Sequence, residues 1–170
     1  GVSYAHYLIG ICYYEMIEDE KRDIEPILNA KKQFNLIIKE YPNTDFSLDA
    51  KFKLSLSENT LASKENYIAN YYLSQKKWIP AIKRFKYIVE NYDETDYVEE
   101  ALHRLVEANY IIGLEEEAKK YAILLGYNYQ SSEWYKESYR VFNKTYINPK
   151  SKIKKDKQNL IIRKFKELFK

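Results

Sequence analysis

Apolar residues recur at helical spacing in three segments of this chain, and the three segments share one order of residue types. Ala30, Ala81 and Ala118 each begin such a stripe. The shared positions are Phe or Ala four residues later, an aliphatic residue seven later and a tyrosine eleven later: Phe34, Ile37 and Tyr41; Phe85, Ile88 and Tyr92; Ala122, Leu125 and Tyr129. Because these positions lie on one face of an α-helix, each segment is predicted to be an amphipathic helix.

A short polar segment follows each stripe and predicts a turn before a new helix. It contains a hydroxyl residue fourteen positions after the alanine, namely Thr44, Thr95 or Ser132. These side chains, or the acids that follow them, can accept the free backbone N–H groups at a helix start. A further helix precedes each stripe, at about residues 2 to 18, up to about residue 76, and at about residues 97 to 112 before Gly113. The unit is therefore helix, turn, helix.

The spacing of these units indicates a repeat protein. The three alanines are 51 and 37 residues apart, and the second interval is close to the period of about 34 residues in tetratricopeptide arrays. The first interval contains extra helix, since residues 45 to 76 hold no Gly or Pro. Polar residues weaken the middle of that segment, so we expect one long helix or two helices that break near residues 57 to 61. The predicted fold is all-α, an α-α superhelix of tetratricopeptide-like repeats.

Small and aromatic residues define the predicted repeat core. Ala69 occupies the position where two helices cross closely, and Tyr72 supplies the aromatic that fills the gap between hairpins. The same register gives the remaining core residues: Ala30, Phe34, Ala81, Phe85, Ala118 and Tyr129.

Composition and charge divide the chain into two parts. Its four Gly and four Pro among 170 residues disfavour a β-rich fold or a glycine loop for nucleotides. Residues 1 to 143 carry 18 Lys or Arg and 23 Asp or Glu, a net charge of −5, whereas residues 144 to 170 carry 10 and 2, a net charge of +8. We therefore predict a repeat domain over residues 1 to 142 and a basic tail over residues 143 to 170. Because the body is acidic, nucleic-acid binding is disfavoured.

The basic tail has the pattern of an amphipathic helix. One side would carry the apolar residues Ile161, Phe165, Leu168 and Phe169. Around them lie Lys157, Arg163, Lys164, Lys166 and Lys170. Three interpretations fit this pattern: a helix that caps the last repeat, an arm that docks on a partner, and a helix that lies on a membrane surface.

The residues that could carry chemistry are few and scattered. His6 and His103 are far apart and show no metal-ligand spacing, and the single Cys12 is expected to be a core residue. No nucleophile, phosphate-loop or dinucleotide motif occurs. We therefore predict no enzyme, no cofactor and no metal. The sequence contains no run of 18 apolar residues, so it predicts no membrane-spanning helix.

The 18 tyrosines suggest binding as well as packing. Tyr67 and Tyr71 belong to the first helix of a hairpin, and such helices line the inner wall of repeat arrays. We predict that some tyrosines of these helices are exposed for a partner. A cochaperone that grips a C-terminal carboxylate would need Lys or Arg and Asn on these inner helices, whereas the candidates there are mostly Tyr, Ala and Glu.

Three groups of segments have the residue order of one known family. The first group is Tyr4 to Gly10, a charged loop and then Ala30 to Thr44. The second group is Ala62 to Glu65, Ile68-Ala69, Tyr71-Tyr72 and Trp78 to Ala81. These two groups resemble the second repeat and the central unit of the BamD (ComL) family of outer-membrane β-barrel assembly lipoproteins. Ala122 to Tyr129 and Ser132 to Tyr135 resemble the alphaproteobacterial branch. By this resemblance, the lipidated cysteine and the first repeat would lie before Gly1.

The resemblance implies a noncatalytic scaffold on the periplasmic face of the outer membrane, held there by a lipid anchor outside this segment. Its partners would be the periplasmic domains of the barrel insertase subunit, other assembly lipoproteins and unfolded outer-membrane proteins. The expected contact residues are Tyr110, Leu114, Glu115, Glu116, Tyr67 and Tyr71. Some relatives have a partner-pairing arginine where Tyr110 stands, so no salt bridge is carried over. The alternative is another tetratricopeptide adaptor of the cell envelope or a peptide-binding cochaperone.

Overall fold

A computed structural model describes residues 1–17 and 23–143 of the chain. These residues form seven α-helices: α1 (Val2–Glu15), α2 (Glu25–Glu40), α3 (Asp45–Ser74), α4 (Trp78–Asn91), α5 (Val98–Ile111), α6 (Glu115–Asn128) and α7 (Glu133–Phe142). Each helix packs on its neighbours in the chain, and α7 also packs on α5. The predicted all-α superhelix of tetratricopeptide-like repeats is confirmed. The predicted tail helix lies outside the described residues.

The predicted stripes face the interior of the array. In α2 the stripe residues Ala30, Phe34 and Ile37 are fully buried, and α4 buries Ala81, Phe85 and Ile88 in the same way. In α6 the buried positions are Ala118 and Leu125. Ala69 of α3 is also fully buried, whereas Tyr72 and Tyr129 are partly buried and pack at the edges of the apolar clusters.

The long segment between the first two repeats forms one helix. α3 runs without a break for 30 residues. The hydroxyl of Ser57 donates to the backbone oxygen of Lys53 at 2.8 Å, and that of Thr60 donates to Leu56 at 2.9 Å. Because these hydroxyls bond within the helix, they do not compete for a turn. This decides between the two alternatives that the sequence left open.

The predicted caps hold at two of the three helix starts. The Thr44 side chain accepts the backbone N–H of Ser47 at 3.2 Å, and Ser132 accepts that of Trp134 at 3.1 Å. The prediction for Thr95 is wrong, because α5 begins only at Val98, three residues after Thr95, whereas α3 begins directly after Thr44. The Thr95 hydroxyl donates to the Tyr92 carbonyl at 2.7 Å, as that of Thr44 does to Tyr41. Tyr97 stands at the cap position of α5 and makes no side-chain cap.

Two hairpin turns share one geometry. At the end of α5, the N–H groups of Gly113 and Leu114 donate to the carbonyls of Tyr110 and Asn109, and Gly113 has a φ of +84°. At the end of α3, Lys76 has a φ of +56°, and its N–H donates to the carbonyl of Leu73. Both turns match the glycine-type helix ending, although one of them contains lysine at the left-handed position.

The prediction that Cys12 belongs to the core is wrong, because Cys12 is exposed. α1 packs mainly on α2 and less on α3, and Gly10 is its buried residue, so much of its surface faces outward. The closest packing of α1 is at Gly10, where an added Cβ would lie 2.7 Å from the Phe34 ring. The helix ends at Glu15, and residues 18 to 22 of the predicted charged loop lie outside the described residues.

Candidate partner-binding surfaces

The turn between α5 and α6 forms an exposed surface of mixed apolar and acidic character. Leu114 is 49% exposed, and Ile111 beside it is also exposed. Glu115 and Glu116 open α6 at the same edge and face solvent, where negative charge is favoured by the helix dipole. A hydrogen bond with Lys119 lowers the pKa of the Glu116 carboxyl. We call these residues the hairpin-turn surface.

Tyr110 borders the hairpin-turn surface, but part of its side chain packs on α7. Its ring meets that of Phe142 in α7 edge to face, with ring centroids 5.5 Å apart. This contact fixes the orientation of the tyrosine and leaves only part of the side chain exposed. Tyr110 is therefore better placed to hold α7 than Leu114 is, and Leu114 is the more accessible of the two.

Tyr67 and Tyr71 form a separate exposed pair on α3. They lie one helical turn apart and are 60% and 57% exposed. The Tyr71 ring lies against Tyr72, with ring centroids 6.0 Å apart. This pair lies on α3, whereas the hairpin-turn surface lies where α5 meets α6. The predicted contact residues thus fall into two groups on different helices.

A cleft that sequence reasoning missed lies between α1, α3 and the turn before α5. It has a volume of about 580 Å³, and its walls include Tyr14, Ile17, Asn59 and Tyr97. The Asn59 side-chain oxygen accepts the backbone N–H of Asp96 at 3.0 Å, which fixes the turn against α3. The walls come from three distant parts of the chain, so no local pattern indicates them. Neither Tyr67 nor Tyr71 lines this cleft.

A second cavity, which we call the α6–α7 groove, is largely apolar and has a volume of about 510 Å³. Most of its walls come from α6 and α7, with Gln130 from the turn between them: Lys119, Ala122, Ile123, Gly126, Tyr127, Tyr135, Ser138, Tyr139 and Phe142. Ile123 is 71% exposed and Tyr127 is 82% exposed. At Gly126 an added Cβ would lie 2.7 Å from the Tyr135 ring, so glycine permits the two helices to approach closely here.

A buried polar cluster joins α5 to α7 beneath this groove. His103 Nδ1 and Ser138 Oγ share a hydrogen bond of 2.8 Å, and His103 Nε2 lies 3.4 Å from Glu107 Oε2. Arg104 donates to the same carboxylate at 2.7 Å. Burial opposes the charge of Glu107, but the hydrogen bonds from His103 and Arg104 outweigh it and lower the pKa of the carboxyl to about 2.

This cluster contains a serine, a histidine and a glutamate, but its arrangement is structural. Ser138 is fully buried and His103 is 3% exposed, so neither presents a reactive atom to solvent. The His103 ring also packs near Trp134, with ring centroids 5.2 Å apart. The contacts therefore fasten α7 to α5. His103 and Ser138 are 35 residues apart, so the sequence pattern did not reveal the pairing.

Within residues 1–17 and 23–143, no three His, Cys, Asp or Glu side chains come together as metal ligands. None of the helices in these ranges combines the length and the apolar composition that a membrane crossing requires.

Comparison with known proteins gives consistent matches. Residues 1–124 match the YfiO family, described as outer membrane lipoprotein. The chain is 41% identical over 147 residues to outer membrane protein assembly factor BamD of Rickettsia prowazekii, covering 86% of this chain and 58% of that protein. It is 40% identical over 149 residues to BamD of Caulobacter vibrioides, covering 88% of this chain and 49% of that protein. BamD of Vibrio cholerae is 29% identical over 112 residues, covering 66% of this chain and 46% of that protein. The chain spans about half the length of the curated relatives it matches.

Proposed function

This chain belongs to the YfiO family of outer membrane lipoproteins, and from that premise we propose that it is a noncatalytic scaffold of the outer-membrane β-barrel assembly machinery. The observation that carries the proposal is the identity of 41% and 40% to assembly factors BamD over most of the chain. The array of helical hairpins supports it, because stacked repeats provide extended surfaces that bind other proteins.

We place the protein on the periplasmic face of the outer membrane, anchored by a lipid on a segment outside this chain. The names of the curated relatives place them in outer membrane protein assembly, and the matched family is one of lipoproteins. Its partners by this proposal are the barrel insertase subunit, other assembly lipoproteins and unfolded outer-membrane proteins.

The hairpin-turn surface is our candidate contact for the periplasmic domains of the insertase. Leu114 gives it an exposed apolar centre, and the acidic start of α6 surrounds that centre with charge. This arrangement has the apolar core and polar rim of a protein interface. The two bonds of the Gly113 turn hold the surface in one shape before binding.

Tyr67 and Tyr71 are a second candidate contact, for an extended chain or an assembly lipoprotein. Two exposed tyrosines on one helical face offer a partner a continuous aromatic surface. Because they lie apart from the hairpin-turn surface, the two groups of residues can be tested separately.

A binding titration of the chain against the purified periplasmic domains of the cognate insertase tests the proposal. Saturable binding is expected, and Leu114→Asp should weaken it by about ten-fold or more if Leu114 is central to the contact. Leu48→Asp, at an exposed leucine of α3, is the matched control and should change little.

Absence of binding at concentrations on the order of tens of micromolar would contradict the scaffold proposal and favour another adaptor of the cell envelope. Equal weakening by Leu114→Asp and Leu48→Asp would keep the scaffold but remove the hairpin-turn surface as its contact. Loss of binding with Tyr67→Ala and Tyr71→Ala alone would move the contact to α3.

A further inference from the structure

The lysines of the α3–α4 hairpin lie in a segment without acidic residues, although the body of the chain is acidic. Residues 66 to 89 contain five Lys or Arg and no Asp or Glu, whereas the rest of residues 1 to 143 contains 13 and 23. Arg84 is paired, since it donates to the carboxylate of Glu65 at 2.8 Å. The other four are exposed and form no ion pair within the described ranges: Lys76, Lys77, Lys83 and Lys86.

The fold directs this charge to one side of α4, away from the interior of the array. The stripe of α4 that begins at Ala81 is buried. Ile79, Lys83 and Lys86 are spaced by four and three positions on the opposite side of the same helix, and all three are exposed. They therefore form one continuous strip on the outer surface of the hairpin.

The turn before α4 and the end of α4 extend this strip. The N–H groups of Lys76 and Lys77 donate to backbone carbonyls in the last turn of α3 at 2.8 and 2.9 Å, which holds both lysines beside the start of α4. Tyr87 is 45% exposed, and its ring meets that of Tyr92 edge to face, with ring centroids 5.8 Å apart. Glu90, also exposed, adds one negative charge at the far end of this side. We define the α4 outer face as Lys76, Lys77, Ile79, Lys83, Lys86 and Tyr87.

The composition of the α4 outer face matches an anionic lipid surface better than a protein surface. Lysine is depleted in protein–protein interfaces, where arginine is the enriched cation. At a membrane surface each lysine is attracted by anionic headgroups, and its long side chain lets the ammonium group stay in water. Ile79 is 54% exposed among the lysines, and tyrosine is typical of the boundary between headgroups and acyl chains.

We propose that the α4 outer face lies on the anionic lipid headgroups of a membrane surface. Ile79 and Tyr87 then meet the boundary of the acyl region, and the four lysines surround them at the headgroups. The rest of the body has an excess of acidic residues, which such a surface repels, so within the body the contact is confined to this face. α4 packs on α3 and α5 through its other sides, so these two helices are turned away from the lipid. The inference rests on the proposed location of the chain at the outer membrane.

Fluorescent labels on the full chain test which face meets the membrane. In a Cys12→Ser background, Gln75→Cys places an environment-sensitive dye in the exposed turn beside Lys76, and Leu48→Cys places it near the other end of α3, about 40 Å away. The probes are vesicles of phosphatidylcholine with phosphatidylglycerol and vesicles of phosphatidylcholine alone. Emission of the Gln75 label should shift to shorter wavelength with the anionic vesicles only, and that of the Leu48 label should not shift. Added salt should reverse the shift, because it screens the lysines.

Charge-matched variants separate the α4 outer face from the basic tail. The α4 variant changes four lysines together: Lys76→Gln, Lys77→Gln, Lys83→Gln and Lys86→Gln. It should weaken binding to the anionic vesicles about ten-fold or more and reduce the shift of the Gln75 label accordingly. The tail control removes the same charge elsewhere: Lys154→Gln, Lys155→Gln, Lys164→Gln and Lys166→Gln. It should keep the shift when lipid is saturating, and circular dichroism checks the helices of both variants.

Three outcomes would overturn the proposal. Equal shifts of the two labels would show that the chain meets lipid without a preferred face. Loss of the Gln75 shift in the tail control would assign the lipid contact to the tail. Absence of any shift at Gln75 would refute lipid contact, and weaker binding of the α4 variant to the insertase domains would then assign the face to an acidic protein surface. The vesicles contain no protein, so a negative result here leaves the scaffold proposal, which the insertase titration tests, unaffected.

Discussion

The matching turns after α3 and α5 allow one structural interpretation to be tested with changes of opposite sign. Lys76 and Gly113 both occupy the left-handed backbone region, with φ of +56° and +84°. Only the second of them is glycine, which adopts this region without strain. We expect Lys76→Gly to stabilise the fold and Gly113→Ala to destabilise it.

The magnitude follows from two opposing terms. A residue with a Cβ in the left-handed region destabilises the folded state by about 1–2 kcal/mol. A glycine lowers the free energy of unfolding by about 0.4–1 kcal/mol, because it makes the unfolded chain more flexible. Lys76→Gly should therefore raise the free energy of unfolding by up to about 1 kcal/mol. Gly113→Ala should lower it by a similar amount. Nothing lies within 4 Å of a Cβ added at Gly113, so that change tests backbone strain alone.

Urea unfolding of the full chain, followed by circular dichroism, measures both changes. The midpoint should move up for Lys76→Gly and down for Gly113→Ala, with an unchanged dependence of the free energy on urea. Gly113→Asn is the control, because asparagine tolerates this backbone region better than alanine. Destabilisation of the protein by Lys76→Gly, or a shift of the midpoint in the same direction by both variants, would show that backbone strain at these turns does not set the stability.

Three further predictions concern packing and charge. Ala69→Leu should overfill the buried helix crossing and lower the free energy of unfolding by about 1–3 kcal/mol. The control Ala5→Leu, at an exposed position of α1, should not lower it. Equal melting temperatures for the two variants would show that the repeat register is wrong. Gly10→Ala should destabilise the protein although alanine favours helix, because the added Cβ would lie 2.7 Å from the Phe34 ring. A stabilised variant would show that the ring moves aside freely. The pKa of Glu107 is lowered to about 2 in the fold, so its charge stabilises the fold above about pH 4.5 and less as the pH falls toward 2. Because a third of the side chain is exposed, we expect Glu107→Gln to cost about 1–2 kcal/mol at pH 7 and much less at pH 2.5, measured by urea unfolding; a cost that does not change with pH would contradict this.

The helices of the array followed from the sequence because their signals are local. The stripe that begins at Ala81 includes Phe85 and Ile88, and all three residues are fully buried. Spacing along one helix decides which residues face the interior, whatever the partner helix is. Thr44 and Ser132 could be predicted as caps for the same reason, since a cap bonds only to the first turn after it.

Other features depended on contacts that the pattern does not contain. Cys12 has the composition of a core residue, but its burial depended on whether a second helix covers that side of α1. Thr95 has a hydroxyl at the cap spacing, but the turn after α4 is longer and α5 begins only at Val98. At Lys76 the backbone takes a conformation that the residue type does not indicate, because the hairpin requires a turn there.

One candidate surface could be predicted from the sequence, and another could not. The exposure of Leu114 beside Gly113 could be anticipated, because a turn that ends in glycine projects from the array. The cleft that includes Tyr14, Asn59 and Tyr97 could not, since its walls meet only when three distant segments pack together.

By itself, the sequence determined the helical repeat, the register of its buried stripes, and the resemblance that the family match confirms. These properties depend on residue types at fixed short spacings. The tertiary structure alone decided that α3 is one helix, that His103 joins Ser138, and that an open groove ends the array between α6 and α7. Each of these depends on the relative position of helices, which is set by many weak contacts between residues far apart in the chain.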